Sequence, residues 1–152
     1  VKGYSLTAEV KDAKRAPRST VVDLDRKVAI TRLGERMRVT GFAELAGFNR
    51  RMPQSRLDVI REAVESRFPG AADFQSAEPW TGFRPMLPDG PPALGKGSLE
   101  NLYVNTGHGT FGWTLSAGSA RILGQVMDGE APSIALDSFE PMRFSRRPPR
   151  PR

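Results

Sequence analysis

The sequence predicts an α+β fold in which an antiparallel sheet packs with two main helices, and three observations predict it. Between Lys27 and Leu45 apolar and polar residues alternate on either side of Leu33-Gly34-Glu35, the period-2 signature of a hairpin with one buried face. From Gln54 the spacing changes to Leu57, Ile60, Val64 and Phe68, one stripe of an amphipathic helix. Further on, a short apolar run, a glycine-rich turn and a second helical stretch follow one another between Leu102 and Met127.

Taken in order, the chain opens with Tyr4, Leu6, Ala8 and Val10 in alternation, which predicts a strand over Ser5–Val10, and Ser19–Leu24 reads as another. In the hairpin, Val28 and Ile30 share a face of the first arm. In the second arm Met37 and Val39 face one way and Arg38 and Thr40 the other, as a half-buried antiparallel strand requires. Pro53 near the start and Pro69-Gly70 at the stop bound a helix at about Gln54–Arg67. On it Arg61, Glu62 and Glu65 have the spacing of an ordinary solvated face rather than of a catalytic cluster.

An edge strand is expected at Trp80–Pro85, and Met86–Gly97, dense in proline and glycine, reads as a defined loop. Leu102–Asn105 reads as a short buried strand. The helix after it carries Leu115, Ile122, Leu123, Val126 and Met127 on one side and ends at Gly129, and Asp137–Phe144 reads as a short helix or strand.

Composition limits the chemistry. There is no cysteine, which excludes disulfides, thiolate metal sites and cysteine nucleophiles, so redox chemistry requires a bound cofactor. No stretch of about 18 apolar residues occurs, so no membrane-spanning helix is predicted. The net charge of +6 is concentrated at the end: Arg146, Arg147, Arg150 and Arg152 account for four of the six charges. A proline-rich segment of this kind is extended with its charges in water, or touches acidic lipid or a partner. Nucleic-acid binding would rest on charge alone, without the aromatic and basic platform it needs, and is not expected. Val1 stands within an extended pattern and no initiator methionine precedes it, so a fragment of a longer protein is expected.

Two segments carry chemistry. In Thr106-Gly107-His108-Gly109-Thr110-Phe111-Gly112-Trp113-Thr114 the glycines allow close backbone approach, and a helix begins at once. Unpaired amides at a helix start favour an anion or an electron-rich carbonyl, although such turns also serve plain packing. His108, the sole histidine, fills or caps the turn or faces a ligand; a metal site is not expected with no second histidine and no cysteine. In Trp80-Thr81-Gly82-Phe83-Arg84-Pro85 the proline biases Arg84 to extended backbone. Its guanidinium is suited to gripping a carboxylate through two parallel hydrogen bonds, with Trp80 and Phe83 as apolar walls, or it is a surface arginine beside core aromatics.

The strings GFRPMLPDGPPALG at Gly82–Gly95 and NLYVNTGHGTFGWTLSAGSARIL at Asn101–Leu123 resemble the C-terminal signature of the D-amino-acid dehydrogenase branch of the D-amino-acid oxidase and glycine oxidase superfamily. Gly3–Thr7 and Val28–Arg32 resemble it too, so the similarity runs from Gly3 to about Ala135.

The resemblance implies a flavoprotein oxidoreductase that oxidises D-amino acids to 2-oxo acids and ammonia by hydride transfer to FAD. Arg84 would bind the substrate carboxylate, and Gly107, His108, Gly109, Thr110, Gly112, Trp113 and Thr114 would lie against the flavin; no residue of this chain is assigned as catalytic. The implied division is a substrate-binding sheet segment with one helix over residues 1–97, a flavin-facing strand-turn-helix over 98–144 that returns to a FAD domain, and a disordered basic tail over 145–152. The resemblance places the G-x-G-x-x-G fingerprint of that FAD domain at its N-terminus, whereas the string of that spacing here, Gly107 to Gly112, belongs to the flavin-facing turn, so the chain by itself is expected not to hold FAD. A quinone as electron acceptor, a cytoplasmic location and peripheral association with the inner membrane complete the implied picture. The alternative is a non-catalytic fragment or partner-binding subunit.

Overall fold

A computed structural model describes residues 1–145 of the chain; the tail expected at 145–152 lies, apart from Ser145, outside the described residues. The described chain forms two compact units, one of residues 1–83 and one beginning at Arg84. The 1–97 segment inferred from the sequence is therefore shared between them, because residues 93–96 pair with 103–106.

The first unit contains β1 (Lys2–Glu9), β2 (Val21–Asp23), β3 (Val28–Leu33), β4 (Arg36–Glu44), α1 (Gln54–Arg67) and β5 (Glu78–Phe83). All strand pairs are antiparallel, in the order β2-β3-β4-β1-β5. The hairpin over 27–45 is present as β3 and β4, turning at Gly34, whose φ of 63° lies in the left-handed region that glycine enters without strain. The helix bounds read from the prolines coincide with those of α1. The first strand starts earlier than Ser5, and Val10 makes only an isolated bridge to Ala72. The edge strand is displaced to 78–83, and Pro85, which has no N–H to give a ladder, lies outside it.

One face of this sheet meets α1. Leu6, Val39 and Ile30 form one cross-strand row, and Tyr4, Gly41 and Val28 the next. All the side chains in these rows are buried with Leu57, Ile60, Ala63 and Val64 of the helix. Gly41 is the notch that admits Ile60, since a Cβ there would stand 3.4 Å from Ile60 Cγ1 and 3.3 Å from Val28 Cγ2. Burial of branched aliphatic side chains at about 1.5–3 kcal/mol each is the main force holding helix to sheet.

Just beyond this row β4 carries one extra residue. Tyr4 pairs with Gly41 but Lys2 pairs with Glu44, and Phe42 takes a φ of 67° to absorb the irregularity. The bulge brings Glu44 onto the side of Tyr4 and Lys2. The Tyr4 hydroxyl donates to Glu44, and Lys2 Nζ lies 3.4 Å from the same carboxylate and donates to the Arg51 carbonyl at 2.9 Å. Tyr4 and then Lys2 hold the Glu44 carboxyl below the usual carboxylate range against desolvation. Lys2 is buried, which is tolerable for an ammonium because it is paired and hydrogen-bonded.

Arg61 departs from the solvated-face expectation. Its side chain is largely covered, donating to the Phe74 carbonyl at 2.7 Å and pairing with Asp58. Spacing along a helix does not reveal that the chain returning from its C-terminus covers part of its polar side.

The second unit contains β6 (Ala93–Lys96), β7 (Tyr103–Thr106) and α2 (Gly112–Met127), followed by short 3-10 turns at Asp137–Phe139 and Pro141–Phe144. The strands form a two-stranded antiparallel ribbon on which α2 packs. Three expectations change here. The Met86–Gly97 loop ends in a strand, because Ala93-Leu94-Gly95 is an apolar run that the preceding prolines mask. The strand expected to be buried at 102–105 lies at 103–106, with Tyr103 and Val104 half-buried and Asn105 and Thr106 exposed. On α2 only Ser119 is buried, and Leu115 and Met127 of the apolar side are exposed. Gly129, at φ 75°, ends the helix as expected.

Asp23 is the buried charge of the β2–β3 turn. Its carboxylate accepts from the Arg26 and Asp25 amides and lies 3.3 Å from Arg26 Nη1 and 3.2 Å from Arg67 Nε of α1. The Arg26 amide first, then the Arg67 and Arg26 guanidinium groups, lower its pKa to about 2 from the ordinary 3.8, against desolvation. A lowered folded-state pKa contributes stability that is complete above the unfolded value and is lost as pH falls through the folded one. Asp23→Asn is thus expected to be less stable than the parent at pH 7, the gap narrowing between about pH 4 and pH 2, which urea unfolding at stepped pH measures. A gap independent of pH would remove the carboxylate from this role.

Candidate functional site

The end of one segment singled out from the sequence, Arg84 and Pro85, and the loop after it meet the other, the glycine turn, in the second unit. After Arg84 the chain turns tightly, the Met86 amide donating to the Arg84 carbonyl at 2.9 Å. Met86 then bridges His108 in antiparallel fashion, and the Gly109 amide donates to the Pro85 carbonyl at 3.2 Å. Arg84, partly buried, is therefore one residue from backbone that is hydrogen-bonded to the glycine turn.

The glycines of this turn have more than one task. Gly107 and Gly109 take φ values of 81° and 57°, which side chains rarely adopt. A Cβ on Gly107 would stand 2.6 Å from Leu87 Cγ and Cδ1, and one on Gly109 would stand 3.4 Å from Met86 Cγ. These two residues make room for the loop that follows Arg84. Gly112 opens α2, where a Cβ would make only ordinary contact with His108 at 3.6 Å. The sequence offered close approach to a flat ligand or plain packing as the reason for the glycines. Packing against Leu87 accounts for Gly107 and leaves the helix start as the open side of the motif.

That helix start is bare. Phe111 at the N-cap makes no side-chain cap, and no acidic residue stands in the first turn. Thr110 and Thr114 are exposed, and Trp113 is 94% exposed with Phe111 at 63% beside it. Helix-start amides carry partial positive charge, so this edge suits the electron-rich carbonyl side of a flat heteroaromatic ring. The residues present fit a flavin ring.

His108 is held by its backbone, bridging Met86 and accepting from the Phe111 amide at 3.0 Å. Its Nε2 is buried without a hydrogen-bond partner. The imidazole borders an apolar cavity of about 220 Å³ with Leu94, Leu115, Ile122 and Phe139 among its walls.

Trp80 and Phe83, expected as apolar walls beside Arg84, have partners in the first unit. Arg38 lies 5.5 Å from the Trp80 ring centroid while hydrogen-bonded to buried Ser5, and Phe83 packs edge-on against Phe48 with Arg50 over its ring. Sequence reasoning missed Asp89 and Arg143. Asp89 Oδ2 and Oδ1 accept from Arg143 Nε and Nη2 at 2.6 and 3.0 Å, and no local pattern signals a pair 54 residues apart.

Gly107→Ala is expected to destabilise the second unit by more than about 1 kcal/mol, from the left-handed backbone and the clash with Leu87 together. Leu87→Ala in the same chain should recover the steric part and leave the backbone part, as denaturant titration would resolve.

The chain is 53% identical over 134 residues to a D-amino acid dehydrogenase of Cereibacter sphaeroides, covering 88% of this chain and 31% of that protein. It is 55% identical over 130 residues to one of Vibrio vulnificus, covering 86% of this chain and 31% of the relative. The chain thus spans about a third of the length of the curated relatives it matches. Among solved structures, glycine oxidase from Geobacillus kaustophilus matches with a TM-score of 0.73 at 22% identity, over 93% of this chain and 38% of that one. Iminodiacetate oxidase from a Chelativorans species matches with a TM-score of 0.74 at 23% identity, over 92% of this chain and 38% of that one; both share the fold. The family model described as FAD dependent oxidoreductase matches residues 1–126, and the chain belongs to that family.

Proposed function

We propose that this chain is the C-terminal, substrate-facing part of a FAD-dependent enzyme that oxidises D-amino acids to 2-oxo acids and ammonia. The observation that carries the reading is the hydrogen-bonded junction of the Arg84 loop with the glycine turn, immediately before an uncapped helix start. A carboxylate binder and a ring-facing turn that share backbone hydrogen bonds keep a fixed separation, as an oxidation at the α-carbon demands. The names of the relatives and the family description support the substrate class and the cofactor.

In this reading Arg84 grips the substrate carboxylate through paired N–H donors and so sets where the α-carbon lies. Gly107 and Gly109 hold the turn in its left-handed conformation; Thr110, Gly112, Trp113 and Thr114 present the bare amide end of α2 and its flanking surfaces to the cofactor. Positive potential at that end favours negative charge as it develops, the electrostatic form of assistance. His108 contributes its place in the turn. Bound FAD would supply the two-electron oxidant, accepting hydride from the α-carbon; water then hydrolyses the imino acid. None of these residues needs to transfer a proton. A quinone as acceptor and peripheral association with the inner membrane from the cytoplasmic side belong to the same proposal. Among the described residues no helix is long and apolar enough to cross a membrane.

Arg84→Ala in the flavin-loaded enzyme is expected to raise KM for a D-amino acid by about 100-fold or more, a charge-assisted pair being lost, while flavin content stays at the parent level. Unchanged kcat/KM would defeat the assignment of Arg84, and loss of flavin without a change in KM would move the residue to the cofactor.

A further inference from the structure

The loop from Pro85 to Pro92 carries no regular structure, yet its first residues must hold Arg84 and the glycine turn in register. Two attachments serve its start: the Gly109–Pro85 hydrogen bond and the Met86–His108 bridge. Its far end is fastened by one side chain from a distant part of the sequence. Arg143, in the 3-10 turn Pro141–Phe144, gives Nε to Asp89 Oδ2 at 2.6 Å and Nη2 to Asp89 Oδ1 at 3.0 Å, the parallel two-bond geometry that only arginine offers. The same guanidinium donates Nη2 to the Pro91 carbonyl at 2.7 Å and Nη1 to the Glu140 carbonyl at 3.1 Å.

Few surface ion pairs matter energetically, but this one differs in kind. The Arg143 side chain is 13% exposed, lies 4.3 Å from the centroid of the Phe144 ring, and engages both a side chain and the backbone of the loop. The Asp89 carboxyl is held below the ordinary carboxylate range, Arg143 being the first cause. Around the clamp, Gly90 turns with a φ of 96° and its amide returns to the Leu87 carbonyl at 3.2 Å. Leu87 in turn occupies the space that Gly107 leaves. A continuous series of contacts therefore leads from Arg143 through Asp89, Gly90 and Leu87 to the glycine turn.

We propose that Arg143 is a positioning residue for substrate binding: by clamping Asp89 and Pro91 it fixes the loop that aims Arg84. The proposal rests on the reading of Arg84 as the carboxylate binder. Arg143 touches neither substrate nor cofactor in it, so its removal affects how well Arg84 is placed and leaves flavin binding alone.

Arg143→Met, Arg143→Lys and Asp89→Asn test this through two readouts. In the chain itself, hydrogen exchange at the Gly109 amide, whose acceptor is Pro85, should quicken at least about tenfold in Arg143→Met and Asp89→Asn and less in Arg143→Lys, the double variant being no worse than either single one. In the flavin-loaded enzyme KM for a D-amino acid should rise about tenfold or more, with kcat changed less and flavin content unchanged. Gly109 exchange at the parent rate in both Arg143→Met and Asp89→Asn overturns the proposal. So does quickened exchange with an unchanged KM, which would leave the clamp a purely structural fastening. If Arg84→Ala also leaves KM unchanged, the substrate reading has failed and the positioning role falls with it, whereas the exchange result still reports whether the clamp holds the loop.

Discussion

The candidate site depends on backbone pairing between two stretches that contain too much proline and glycine to form a regular sheet. Pro85 has no amide to donate, but its carbonyl accepts from Gly109, and Met86 lies opposite His108. Two short attachments of this kind would be weak on their own, since a minimal bridge buries little surface and each hydrogen bond contributes only about 1 kcal/mol net. They persist because side chains close the same gap: Leu87 against Gly107, Met86 against Gly109, and Arg143 against Asp89. The glycine turn is thus shaped by the loop it carries as much as by anything that binds beyond it.

The first unit shows the opposite economy. Its face toward α1 is a regular grid of cross-strand rows, and the exceptions, Gly41 and the bulge at Phe42, occur where a helix side chain or a carboxylate must be accommodated. The other face is polar. Ser5, Thr40 and Trp80 lie in one row and Thr7, Arg38 and Glu78 in the next, with Arg38 stacked on Trp80. Alternation with period 2 requires such a division of faces, and it explains why β1 tolerates a buried serine: the Arg38 guanidinium donates to its hydroxyl.

Legibility from the sequence followed the range of the forces involved. The α1 boundaries and the β3–β4 hairpin were readable because proline, a left-handed glycine and the apolar period act within a few residues. Strand β6 was hidden, as its apolar run is three residues long and comes after two prolines, and its identity depends on Tyr103–Thr106 as partner. The solvated-face reading of Arg61 failed because Phe74 returns over it. In the candidate site, Arg84 and the glycine turn stood out by residue type and by resemblance. Asp89 and Arg143 did not, because a bidentate pair between segments 54 residues apart leaves no periodic trace.

The extra residue in β4 has a consequence for the lineage as well as for the molecule. A strand with a two-residue repeat cannot lose or gain a single position near Phe42 without exchanging the faces of every later residue in the strand, which would send Glu44 away from Tyr4 and Lys2 and leave a buried ammonium without its anion. Length changes in this chain are therefore better absorbed past Glu44, in the stretch before α1 where Leu45 and Phe48 stand in the open, than anywhere inside the sheet.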